Sequence, residues 1–241
     1  LRIGVTLFKE SSMKRFTSTC IAAGLLAGVL GTAQAVPVTF IELTGAVGGV
    51  PAGTGVFKAD LSVAGLGNMA SITIRDSNSG VGGAGGQFSG FDLDGIKLST
   101  TDCATAACAD AAVGLSVFDF LAGTIFAPGA QRAPADPKLF GTGPGGNTVD
   151  DAVARLALFD GNASTITPDG FISLGDGGVL SFNLTSLVST AGLFLYIGEV
   201  GNNGEVASSD ITISDNRVPV PGTLALAGLA LVLLQRKRAA T

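Results

Sequence analysis

The chain has 241 residues, 46% of them apolar and 14% charged, with 36 Gly, 14 Phe, one Tyr, no Trp and no His. Such a composition can fill a core and is not that of a disordered acidic chain. A formal net charge of −5 excludes the basic face that nucleic acid requires, and the lack of His removes Ser-His-Asp and Cys-His catalysis and His-ligated zinc or haem.

The charges are unevenly placed. Residues 1–35 hold Arg2, Lys9, Lys14 and Arg15 against Glu10 alone. Residues 218–241 hold Arg236, Lys237 and Arg238 and no acid, whereas 36–217 carries 7 basic and 18 acidic residues. An acidic body between two basic, apolar ends is the layout of an exported chain with a processing signal at each end.

The first Met is Met13, so residues 1–12 read as an over-extended start. Met13-Lys14-Arg15, the apolar run 21–30 and Ala33-Gln34-Ala35 supply a basic start, an apolar core of about ten residues and a small-x-small site. Residues 13–35 therefore read as a secretory signal peptide, cleaved after Ala35, that uses the Sec translocon. Cys20 precedes the apolar run and leaves with it.

The body, 36–217, has the length of one ordinary domain. Segment 56–63 alternates, with Phe57, Ala59, Leu61 and Val63 on one face and Lys58, Asp60 and Ser62 on the other. Segments 71–75, 180–185 and 211–214 alternate as well, which predicts half-buried antiparallel strands. The more apolar runs 114–126 and 193–200 read as central strands, and 39–43 and 91–98 complete the set. Eight to ten strands between Gly-rich turns predict an all-β body, an antiparallel β-sandwich or jelly roll. The Pro/Gly-rich stretch 128–146 reads as a long surface loop, and 148–159 fits either a helix or a strand.

Cys103 and Cys108 lie in one short connection, and an even pair this close in an oxidising compartment reads as a disulfide. Calcium is the one metal with candidate ligands. Asp76 and Asn78, and separately Asp92 and Asp94, place oxygen ligands two residues apart, although neither completes an EF-hand. Asp92 and Asp94 on one strand face would repel unless a cation lay between them, and Asp and Asn are also ordinary turn formers. Asp150, Asp151, Asp160, Asp176 and Glu199 are acids of the type that glycoside hydrolysis uses, but one Tyr and no Trp leave few aromatic sugar platforms. Segment 80–86 lacks the Lys-Ser/Thr of a phosphate loop. No catalytic constellation and no cofactor site beyond the calcium candidates emerge.

The C-terminal end is the most specific part. Val218-Pro219-Val220-Pro221-Gly222 is followed by an apolar run, 223–234, and by Gln235-Arg236-Lys237-Arg238. The basic cluster stays cytoplasmic and leaves the acidic body outside. A helix of about 12 residues spans roughly 18 Å of a ~30 Å hydrocarbon core, which suits a temporary tether better than a permanent anchor. This order of Pro motif (219–221), short helix and basic end (236–238) resembles the PEP-CTERM sorting signal of Gram-negative bacteria, with Val220 where that family usually has Glu. Two stretches of the body, 86–96 (GQFSGFDLDGI) and 198–205 (GEVGNNGE), are similar to stretches in the exported regions of other members.

The resemblance implies a transient stay in the inner membrane and removal of the tail near the Pro motif by an exosortase, a membrane cysteine protease-transpeptidase. It also implies a host that makes exopolysaccharide or biofilm. The expectation is a non-catalytic protein of the cell surface or extracellular matrix. The competing readings are a calcium-dependent binding or adhesion module and a permanently tail-anchored surface protein.

Overall fold

A computed structural model describes residues 34–49, 53–80, 84–205 and 210–219. The expected start, the signal peptide through Ala33, Val220, Pro221, the apolar run 223–234 and Arg236, Lys237 and Arg238 lie outside the described residues. No helix among the described residues is long and apolar enough to cross a membrane.

The described chain is mostly β. Its strands are β1 (Ala35–Pro37), β2 (Ile41–Val47), β3 (Thr54–Asp60), β4 (Asn68–Arg75), β5 (Asp92–Ser99), β6 (Thr124–Ala127), β7 (Ile172–Ser173), β8 (Val179–Ser189), β9 (Phe194–Val200) and β10 (Asp210–Ser214). Two short helices, α1 (Ala106–Ala111) and α2 (Asp151–Ala154), lie between them. The strands form two five-stranded sheets, ordered β1-β10-β4-β8-β6 and β2-β3-β9-β5-β7, with antiparallel pairing between neighbours.

Alternation sets what each sheet buries. From the first sheet, Ile72 and Ile74, Leu180, Phe182 and Leu184, and Ile211 and Ile213 enter one core. From the second, Phe57 and Ala59, Leu93, Ile96 and Leu98, and Leu195 and Ile197 enter the same core. The opposite face of the first sheet is polar, with Thr73 and Ser181 hydroxyls 2.9 Å apart across β4 and β8. The opposite face of the second sheet is covered too: Val56 and Tyr196 join Leu43, Phe159, Cys103, Ala106 and Ala109 in a separate cluster. Cover on both faces explains the near-continuous apolar reading of β9.

The strands expected at 71–75, 91–98, 180–185, 193–200 and 211–214 are present within a few residues, and 39–43 contributes to β2. Segment 56–63 is not one strand. The Asp60 carboxylate accepts the Ser62 N–H at 2.9 Å and the Ser62 hydroxyl at 2.6 Å, and this cap turns the chain into a 3-10 turn over Leu61–Val63. Val63 consequently lies 80% exposed rather than in the core. Segment 114–126 is not a central strand: beyond an isolated bridge from Phe118 to Leu184, only β6 (Thr124–Ala127) pairs, at the edge beside β8. Segment 148–159 is neither a full helix nor a strand, because α2 ends where Arg155 adopts φ +51°. The stretch 128–146 forms no strand or helix, as its composition predicts.

One irregularity matters for the site. The β5–β9 register shifts between Leu93 and Ile96, so both residues face the core although three apart. Gly95 sits in that bulge, and a Cβ there would lie 2.2 Å from the Leu158 carbonyl oxygen. The close approach lets the Ile96 N–H donate to the Leu156 carbonyl at 2.9 Å.

Candidate functional site

At one end of the second sheet β5 enters through Asp92 and β9 leaves through Glu199 and Val200. The turn after β9 brings Glu205 back, and its carboxylate accepts the Asp92 N–H at 3.1 Å. Beside this junction opens a cleft of about 320 Å³, lined by Phe88, Phe171 and Val200 on its apolar side and by Asp92, Thr165 and Asn203 among its polar groups. Phe88, Phe140 and Phe171 form a ring cluster with centroids 4.5 to 6.1 Å apart, which stiffens the apolar wall.

The carboxyl groups here are buried: Asp94 and Glu199 are 0% exposed, Glu205 1% and Asp92 6%. Burial, reinforced by the charge of Glu205 and opposed by the Ser173 hydroxyl, holds the Asp92 acid well above the ordinary carboxylate range. Burial pushes Glu199 up to about 7 and Glu205 up to about 8. It also raises Asp94 to about 7, against the pull of hydrogen bonds from Thr54 and Gly161. Burial thus shifts these carboxyls toward their protonated form, while in the structure each accepts a hydrogen bond from a hydroxyl or a backbone N–H.

Each expected calcium ligand has another occupation. Asp76 accepts the Asn78 and Gly177 N–H groups at 2.8 Å and the Phe91 N–H at 3.0 Å, tying β4 to the turn before β8 and to β5. Asn78 stands at φ +56° in that turn. Asp92 accepts the Ser173 hydroxyl at 2.5 Å. Asp94 accepts the Thr54 hydroxyl and, at 2.8 Å, the Gly161 N–H. Gly161 is required for that approach, since a Cβ there would lie 2.6 Å from a Val200 methyl and 2.9 Å from the Asp94 carboxyl carbon. Among the described residues no group of three acids, Cys or His is arranged to hold a metal ion.

The other sequence candidates are dispersed. Asp160 pairs with Arg155 at 3.0 Å and Asp176 with Arg132 at 3.3 Å, while Asp150 and Asp151 begin α2. Cys103 and Cys108 are joined, with Cα atoms 5.5 Å apart. Their loop is fastened to the second sheet. The Tyr196 hydroxyl accepts the Cys103 N–H at 3.0 Å and donates to the Thr101 carbonyl at 2.5 Å. The Thr44 N–H reaches the Ala104 carbonyl at 3.4 Å, so the loop also covers part of edge strand β2.

At the chain ends, Ala35 opens β1 opposite Ser214, and Pro219 follows a segment held on β8. The Asn183 amide donates to the Val218 carbonyl at 2.9 Å and accepts the Val218 N–H at 2.7 Å.

Residue-type reasoning alone missed Phe88, Phe171, Ser173, Asn203 and Glu205, because Phe and Ser carry no spacing signature. Segment 86–96 supplies Phe88 and Asp92, segment 198–205 supplies Glu199, Val200, Asn203 and Glu205, and the fold brings them together at the cleft. No family model, curated protein or solved structure matches the chain.

Proposed function

We propose that the chain is a non-catalytic, exported β-sandwich protein of the cell surface or extracellular matrix, sorted by its C-terminal tail. The carrying observation is the order of three parts: Pro219 to Pro221, an apolar run of about a dozen residues too short for a comfortable span, and then Arg236, Lys237 and Arg238. The Sec translocon would deliver it and the inner membrane would hold it briefly, with the basic end cytoplasmic. An exosortase would then trim it near the Pro motif and release it into exopolysaccharide or biofilm.

The shared core of two antiparallel sheets supports the sandwich architecture. A disulfide suits an oxidising compartment outside the cytoplasm.

The test is intact mass and terminal peptides of the protein from membrane and medium fractions of its native host. A released product running from Val36 to the neighbourhood of Pro219 and Pro221 is expected. A membrane product that keeps Arg236, Lys237 and Arg238, with no trimmed form in the medium, would replace this reading with a permanent tail anchor.

A further inference from the structure

The cleft between the β5 entry and the turn after β9 combines a stiff apolar wall with polar atoms that the fold leaves open. Asp92 is 6% exposed and lines the cleft. One of its oxygens takes the Ser173 hydroxyl at 2.5 Å. The other, Oδ2, has no hydrogen-bond partner among the described residues. Asn203 uses its N–H on the Glu199 carboxylate, at 3.0 and 3.2 Å, and its Oδ1 on the Glu205 N–H at 3.2 Å. Its amide Nδ2 has no partner among the described residues, nor has the Thr165 hydroxyl. Asp92, Asn203 and Thr165 thus line one space with Phe88 and Val200.

The chemistry of the occupant follows by elimination. A metal ion needs converging charged ligands, and no such group is arranged among the described residues. An anion is disfavoured by the field of a body with 18 acids and 7 bases between 36 and 217, although Arg132 lies near Asp92 and Glu205. A purely apolar molecule would bury the three open polar atoms without partners, at the full desolvation cost. A space of about 320 Å³ lies at the small end of ligand pockets and is too small for a protein interface. What remains is a neutral, compact molecule with apolar faces and many hydroxyls.

We propose that this cleft binds a sugar unit of a neutral polysaccharide, packed against Phe88 and Val200 and hydrogen-bonded by Asp92, Asn203 and Thr165. The free oxygen of Asp92 bonds a sugar hydroxyl while the other accepts from Ser173. The inference deepens the export reading only in naming the matrix component bound.

The test is calorimetric titration of the full chain with neutral hexasaccharides built from glucose, mannose, galactose or xylose, and with an alginate hexamer as the charged comparison. Saturable binding of at least one neutral hexasaccharide is expected, with Kd of ~1 mM or tighter. Phe88→Ala and Asn203→Ala should each weaken it about tenfold, a loss of one strong contact. Asp92→Asn keeps a polar group of the same shape on both partners and should stay within about threefold of the parent, whereas Asp92→Ala should lose about tenfold. Asn203 is exposed, so its variant tests the site even where an Asp92 variant fails to fold.

No neutral hexasaccharide binding, binding of alginate alone, or binding insensitive to Phe88→Ala and Asn203→Ala would each overturn the proposal. The outcome is separable from that of the export reading. A chain that binds no glycan but is recovered trimmed loses only the cleft assignment, and one that binds but keeps its basic tail loses only the sorting assignment.

Discussion

Raising the pH from 5 to 8 should destabilise the folded chain, against the usual trend for a protein rich in paired carboxylates. Asp94 and Glu199 sit at about 7 and Glu205 at about 8, against ordinary values of 3.8, 4.5 and 4.5, with burial the leading cause at each. Their folded values lie above the unfolded ones. Between about pH 5 and 7 the folded chain therefore holds protons that the unfolded chain has released, and stability falls as pH rises. One such proton corresponds to about 1.4 kcal/mol per pH unit, and three set a ceiling of about 4 kcal/mol per unit. The groups share one end of a sheet, and ionising one discourages the next. Repulsion keeps those protons on longer, so the expected slope near pH 6 is two to three protons' worth, about 3 to 4 kcal/mol per unit, a large share of an ordinary domain's stability. Below that window the trend reverses weakly, since the Ser62 hydroxyl and N–H hold the Asp60 acid below its ordinary value and that contribution is lost as pH falls. Urea unfolding followed by far-ultraviolet circular dichroism at pH 5, 6, 7 and 8 measures the slope, and Glu199→Gln should reduce it by about one proton's worth. A stability that is flat or rising from pH 5 to 8 would refute the buried, protonated state of these carboxyls.

Three further outcomes test the packing. Phe182 is 1% exposed and meets Phe118 and Phe120 edge-on at 5.8 and 6.0 Å; Phe182→Ala should cost about 3–5 kcal/mol in urea unfolding, and Val63→Ser no more than about 0.5 kcal/mol. Replacing Cys103 and Cys108 together by Ser should cost about 2 kcal/mol from loop entropy and speed hydrogen exchange at Thr44, whose N–H the loop covers; unchanged exchange there would show that the loop does not guard the edge. Asp76→Ala leaves the N–H groups of Asn78, Gly177 and Phe91 without their acceptor and should cost about 3 kcal/mol, equally in chelator and in added calcium. A loss seen only with calcium present would restore Asp76 as a metal ligand.

Much of the fold was legible because period-two alternation reports which side of a strand meets the core. It marked 71–75, 180–185 and 211–214, each of which lies in a strand with one buried face. It failed where a local hydrogen bond outweighs the pattern. Asp60 caps a turn in the middle of an alternating run, so Leu61 is buried at a strand end and Val63 is left outside. It failed again at 114–126, where apolar residues pack as irregular chain: Phe118 and Phe120 stack at 5.4 Å and lean on Phe182 without a continuous strand. The bulge at Gly95 was equally hidden, because the residue that requires it, Leu158, is remote in sequence. At the site, the carboxyl pairs were visible but their roles were not. Spacing puts Asp92 and Asp94 on one strand; it says nothing of Ser173, Thr54 or Gly161, which take the place of a cation. The disulfide was legible because five residues of separation leave its two Cys few other partners.

The exit segment 216–218 lies against the first sheet and the cleft at the end of the second, which makes the way the chain leaves the body testable by itself. After β10, Asn216 passes its carbonyl to the Ser71 hydroxyl at 2.6 Å. Arg217 then donates to the carbonyls of Leu184 and Thr185 at 2.7 and 2.9 Å, and Asn183 grips both backbone groups of Val218. Residues 216–218 are thus held along β8 by side chains rather than by a regular ladder, and Pro219, which has no N–H, is the first residue past that clamp. Asn183→Ala removes both bonds to Val218, worth about 1–2 kcal/mol, without touching the buried face of β8, where Phe182 and Leu184 lie. Trypsin cuts after Arg217 only when this segment lifts off. Its rate at that bond should therefore rise about tenfold in the variant, following the population of the lifted form. Cleavage after the other basic residues of the body and the thermal midpoint should change little, because those bonds open with the sheets and not with the clamp. A rate at Arg217 equal to that of the parent chain would show that Asn183 does not hold the exit segment, and the boundary of the folded body would then lie nearer the end of β10, at Ser214.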